Sequence, residues 1–156
     1  MYAVIKDIHN IVRWVVLLIG LWAVGRAWWG LFARRAWGKW DRLAGVFFSS
    51  ALDVQLLLGL ILYFLSPLIK IALQDFGAAM GTSGLRFYAI EHAAFALLAA
   101  VLAHLGSRST RQAPTTRTRF ARAALLFSLA LALIVVGIPW PWLDTGRSLL
   151  PGFLTP

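Results

Sequence analysis

Ala123-Ala124-Leu125-Leu126-Phe127-Ser128-Leu129-Ala130-Leu131-Ala132-Leu133-Ile134-Val135-Val136-Gly137-Ile138 contains no charged residue. Extended back to Phe120 it gains only Arg122, and it stops at Pro139-Trp140-Pro141. A helix of roughly 20 apolar residues crosses the ~30 Å hydrocarbon core of a bilayer. No alternation of period two supports a barrel, and backbone in lipid must satisfy its own hydrogen bonds, so the run is helical. Three similar runs precede it. The four spans fall at about 8–33, 43–65, 85–105 and 120–138, the second stopping at Ser66-Pro67. The fold class read from this pattern is all-α, an integral membrane four-helix bundle forming a single transmembrane domain over residues 1–156.

Composition agrees. The chain is 60% hydrophobic, with a mean hydropathy of +0.76, well above soluble globular proteins. It has no cysteine, which excludes disulfides, iron–sulfur clusters, thiolate metal sites and covalent c-type haem. The net charge of +9 sits mostly in short connections between apolar runs, where topology explains it and nucleic-acid binding does not. The first run carries His9 and Arg13 early and lacks a small-x-small cleavage pattern, so it reads as a retained span and not a signal peptide. Arg26, near its far end, is expected to snorkel to the headgroups.

Loop charge sets the expected orientation. The first connection holds Arg34, Arg35, Lys39 and Arg42 against Asp41, and the third holds Arg108, Arg111, Arg117, Arg119 and Arg122 without an acid. Both are therefore expected in the cytoplasm, with both termini on the outer (periplasmic) side of a bacterial inner membrane. The Arg108–Arg122 run is read as orientation charge and contact with anionic lipid. The second connection, Pro67 to Gly84, is expected to form a short interfacial helix or lid. The tail with Trp140, Trp142, Leu149, Leu150 and Phe153 is expected along the same interface.

Five ionisable residues interrupt the spans: His9, Arg13, Asp53, Glu91 and His92. Each costs several kcal/mol in hydrocarbon, roughly 2.5–3.5 for Arg or Asp at mid-helix, so they should face one another inside the bundle. His9 and Arg13 share a face, four residues apart. Glu91 and His92 fall at similar depth on a co-directional span, roughly 10 Å from the outer edge. An Arg13–Glu91 contact is expected there. Asp53 and Gln55 are expected near mid-membrane, with Tyr63 back at the level of the histidines and His104 in a different layer.

Two imidazoles from facing helices can ligate one b-type haem. His9 and His92 are the candidate iron ligands, with Arg13 and Glu91 completing the cofactor site. Asp53, Gln55 and Tyr63 form a candidate quinone or proton site. A structural reading of the same residues stands beside this one. In it His9 meets headgroups, Arg13 and Glu91 form a buried ion pair, and Asp53 staples helices together.

Three segments carry a resemblance. They are His9-Asn10-Ile11-Val12-Arg13-Trp14, then Gln55 through Phe64 ending at Ser66-Pro67, then Arg86-Phe87-Tyr88-Ala89-Ile90-Glu91-His92. In this order they resemble a family of small bacterial four-helix membrane proteins often labelled "cytochrome b"-like, over nearly the whole chain. Matching positions are His9, Arg13, Gln55, Tyr63, Arg86, Glu91 and His92. Some members carry histidine where this chain has Asp53. The resemblance implies haem b. With the two histidines it gives the leading expectation of electron transfer within a respiratory or photosynthetic complex, with quinone exchanging near Asp53 and Gln55. Two alternatives remain at this stage: a cofactor-free accessory subunit docked on other membrane proteins, and a subunit whose histidines ligate chlorophyll-type pigment.

Overall fold

The computed structural model describes residues 1–148 and 150. Leu149 and Phe153, placed above at the interface, lie outside the described residues. Every regular element among the described residues is helical. Four helices are long and apolar enough to cross a membrane: α1 (Tyr2–Phe32), α2 (Lys39–Leu65), the continuous helix Ser83–Arg111 and α7 (Thr116–Gly137). The third comprises α5 (Ser83–Arg86), a π-turn (Phe87–Glu91) and α6 (His92–Arg111). Helix α1 packs on α2 and α7, and α6 packs on α7 and α2.

Helix α1 begins at Tyr2, about six residues before the apolar run. Neither Gly nor Pro interrupts residues 2–8, so the polar turn holding Lys6 and Asp7 continues the helix. The hairpin from α1 to α2 is pinned by one carboxylate. Asp41 is buried and accepts from Arg26 Nε at 3.0 Å and Nη2 at 2.8 Å, from Arg35, and from the Gly38 amide at 2.9 Å. The last bond caps the start of α2. Arg26 therefore turns inward to Asp41 instead of snorkelling to headgroups, because a buried carboxylate fifteen residues on offers a charge-assisted partner.

The second connection holds more structure than a single interfacial helix. Pro67 opens α3 (Pro67–Gln74), where its missing N–H costs nothing. Asp75 caps α4 (Phe76–Gly81) by accepting from Ala78 N at 2.9 Å, and Thr82 separates α4 from α5. Ile69, Ala72, Ala79 and Ala89 bury themselves together, with Tyr63 and Tyr88 packed against them. The connection thus folds back over the end of the molecule that carries the N-terminus.

Small residues let the four helices close at their other end. A Cβ on Gly30 would lie 2.0 Å from Phe120, and one on Gly106 would lie 2.5 Å from Phe127. Both rings fill the groove that the missing Cβ leaves, a packing device common between membrane helices. Phe48, Phe120 and Phe127 occupy this half of the interior. Among the described residues the half nearer the N-terminus has no such plug.

Candidate functional site

That half encloses a cavity of about 750 Å³, within the range of small-molecule and cofactor sites. Its walls are mostly apolar, and His9, Arg13, Gln55, Tyr63 and His92 all line it. Lys6 and Arg147 stand at the wall near the terminus. Gly59, Ala93, Ala96 and Gly137 keep the walls thin.

The His9 and His92 rings meet at its wall, edge towards face. Their ring centres are 6.2 Å apart and the planes meet at 63°. Each ring is oriented by one partner. His92 Nδ1 lies 2.7 Å from the Gly137 carbonyl oxygen. A carbonyl only accepts, so Nδ1 carries the proton and Nε2 keeps a free lone pair. The origin of that carbonyl is written in the sequence. In a helix the Gly137 oxygen would accept from residue 141, but Pro141 has no N–H. Pro139 likewise frees the Val135 oxygen, which Trp140 Nε1 takes at 2.9 Å.

His9 is held from α2. Gln55 Nε2 lies 3.2 Å from the His9 carbonyl and 3.1 Å from His9 Nε2. Since the carbonyl can only accept, the amide nitrogen faces His9, and the ring nitrogen is an acceptor too. Within this pair, two buried atoms have no hydrogen-bond partner among the described residues: His9 Nδ1 and Gln55 Oε1. Such atoms are costly in an apolar interior.

A π-turn precedes His92. The His92 amide bonds to Phe87 O, five residues back. The widened turn is steadied by Tyr63, whose hydroxyl donates to Ala89 O at 3.0 Å. Such bulges occur frequently at functional sites. Phe87 and Tyr88 flank the His92 ring at 5.8 and 6.3 Å. Tyr88 in turn donates to Thr145 O at 2.8 Å and lies beneath the Arg147 guanidinium, 4.7 Å away.

Two expected groupings do not form. Glu91 does not meet Arg13. It pairs instead with Arg86 at 2.7 Å, on an accessible face, because the π-turn carries residues 86 and 91 to one side while His92 turns inward. Arg13 is buried at the cavity wall, beside Asn10 and Trp14. Asp53 is also absent from the cavity. Two residues on a helix differ by 200°, so Asp53 points away from Gln55. It pairs with His104 Nε2 at 2.8 Å on the outer face, with the two side chains 52% and 54% exposed. His104 is therefore joined to Asp53 across α2 and α6, and like it stands apart from the His9–His92 cavity.

Sequence reasoning missed Gly137 and the place of Gly59 beside His9. A Cβ on Gly59 would meet His9 Cε1 at 3.4 Å. The i, i+4 spacing of Gln55, Gly59 and Tyr63 was the available signal, since it puts all three on one face.

Among the described residues no cluster of three or more His, Asp or Glu could hold a metal ion. The donor set is two imidazoles alone. It suits a metal whose other ligands come with it, as in a macrocycle. The lone pair on His92 Nε2 and the thin apolar walls fit such a group. No protein-family model matches the chain, and neither a curated protein nor a solved structure matches it.

Proposed function

We propose that this chain is an electron-transfer protein of the bacterial inner membrane, a four-helix bundle with both termini outside that holds one b-type haem between His9 and His92. It would serve as a subunit of a larger respiratory or photosynthetic complex. The observation that carries this reading is the approach of two imidazoles to 6.2 Å between ring centres at the wall of an apolar cavity. An imidazole nitrogen bonds a metal at about 2 Å and the ring centre lies about 1 Å further, so two rings sharing one metal stand roughly 6 Å apart. The resemblance to "cytochrome b"-like four-helix proteins points the same way.

Bound there, the haem would supply a one-electron couple whose potential the axial ligands and surroundings tune. The chain's own residues do the rest. Gly137 fixes the His92 tautomer and leaves Nε2 free to ligate, as outer partners of ligating histidines generally do. Gln55 must release His9 Nε2 before that nitrogen can take a metal, so the amide is a latch on the ring. Arg13, Lys6 and Arg147 put positive charge on the wall, which would neutralise the carboxylates of a bound haem. The apolar remainder excludes water and lowers the local dielectric.

The Gln55 bond favours one other reading. With His9 tied to α2 and His92 tied to the end of α7, both rings act as interhelical staples in a cofactor-free accessory subunit. Absorbance of the purified chain decides. A reduced-minus-oxidised α-band that vanishes in His92→Ala and His9→Ala, and survives in His104→Ala, supports haem. No band in wild-type protein given haem gives the accessory reading precedence, and a red chlorin band points to pigment.

A further inference from the structure

At the opposite end of the molecule the first and third connections enclose a second recess of about 320 Å³. Lys39 and Arg42 reach it from the start of α2, Arg111 from the end of α6, and Arg119 from the first turn of α7. Four cations from three elements line one recess, and no acid among the described residues lines it. The nearby carboxylate, Asp41, is already engaged by Arg26, Arg35 and Gly38 N. It has little capacity left for the recess.

A second observation is independent of that charge. Arg119 Nε is buried and has no acceptor among the described residues. A buried guanidinium N–H without an acceptor is costly, and its planar fork matches the oxygens of a carboxylate or a phosphate. Trp37 supplies an apolar wall and Thr110 a polar floor. Four converging like charges repel one another unless an anion stands between them.

We propose that this recess binds a phosphate-class anion, and that the anion is the headgroup phosphate of an acidic phospholipid. The four cations lie at one common end of helices long and apolar enough to cross a membrane. That is where headgroup phosphates stand, and basic pockets between membrane helices bind such headgroups. Arg supplies the forked donors that phosphate oxygens accept.

The test uses the full chain in nanodiscs of phosphatidylcholine, with and without phosphatidylglycerol, reading bound lipid by native mass spectrometry. Phosphatidylglycerol should be retained by wild type. Arg111→Gln with Arg119→Gln should weaken retention about thirtyfold, taking about 1 kcal/mol per basic residue near the surface. Lys39→Gln with Arg42→Gln should act similarly from exposed positions that folding tolerates. Arg108→Gln with Arg117→Gln removes the same charge outside the recess and should leave retention near wild type. Equal losses in the control pair would overturn the site, since diffuse attraction would then suffice. Thermal protection by inorganic phosphate in neutral detergent, without retention of phosphatidylglycerol, would overturn the lipid as the source. The experiment needs no haem and stands apart from that reading.

Discussion

Gln55 bridges two acceptors on one residue: its amide nitrogen sits 3.1 Å from His9 Nε2 and 3.2 Å from the His9 carbonyl. The bond joins α2 to α1 at the cavity and occupies the nitrogen that ligation needs. Stability and haem uptake should therefore respond to Gln55 in opposite directions. Gln55→Leu should lower the haem-free protein's stability by about 1–2 kcal/mol. It should also tighten haem binding in a titration followed at the Soret band. A loss of affinity in Gln55→Leu would show that the amide positions the ring for ligation and does not hold it back.

His92 has two separable duties, ligation by Nε2 and satisfaction of the Gly137 carbonyl by Nδ1. His92→Gln keeps a donor for the carbonyl but no imidazole. His92→Phe keeps the ring shape and loses both. Each should abolish the low-spin spectrum. Only His92→Phe should also leave the buried carbonyl unsatisfied, at about 1–3 kcal/mol, seen as a lower unfolding midpoint in detergent. Equal midpoints would mean that another group takes up Gly137.

Much of this was legible in the chain. The four spans follow from apolar run length, and each begins or ends within a few residues of a Pro, Gly or charged cluster. The extra turns of α1 were not legible, because hydropathy marks the membrane and not the helix. Within the site, His9 with His92 was legible from depth on co-directional spans. Asp53 with Gln55 was misjudged because depth was weighed without angle, and a separation of two residues places side chains on opposite faces. Arg13 with Glu91 failed for another reason. A π-turn shifts every later side chain by one position, and nothing in Phe87-Tyr88-Ala89-Ile90-Glu91 announces one.

Asp41 ties the last turns of α1 to the first turn of α2 through Arg26, Arg35 and Gly38 N. Asp41→Asn loses the charge and keeps some hydrogen bonding. Asp41→Ala loses everything and leaves two part-buried guanidinium groups facing each other. The expected costs are about 1 and about 2–3 kcal/mol, set below a fully buried pair because the arginines keep some solvent. Urea or heat unfolding in mild detergent measures both. Arg35→Gln should cost less than Asp41→Ala, since Arg26 remains.

Orientation rests on the basic first and third connections. Gly38, Thr116 and Ala78 are exposed, so cysteines there are suitable reporters in a chain with no native cysteine. In intact cells an impermeant maleimide should label Ala78→Cys and spare Gly38→Cys and Thr116→Cys until the membrane is opened. Labelling of Thr116→Cys in intact cells would reverse the topology and place the histidine cavity at the cytoplasmic side.

The Asp53–His104 pair is the sharpest test of how this chain meets its surroundings. Both side chains are half-exposed, and the residues around them, Val54, Leu57, Val101 and Leu105, are exposed and apolar. In a bilayer that face meets lipid or another protein. Each polar group is tolerable there only through the other, since no water replaces a lost partner. Asp53→Leu should therefore strand His104, and His104→Leu should strand Asp53. The double Leu change should recover most of the loss, because both groups are then apolar on an apolar face. Measured couplings between membrane helices are about 0.6 kcal/mol on average and about 1.7 at most, so a cycle in bilayer nanodiscs should return a value in that range. The haem spectrum should be the same in all four proteins, as the pair lies outside the cavity. Strictly additive losses would mean that the two residues act separately. A double variant that folds well but no longer copurifies with a partner would identify this face as the contact with a larger complex.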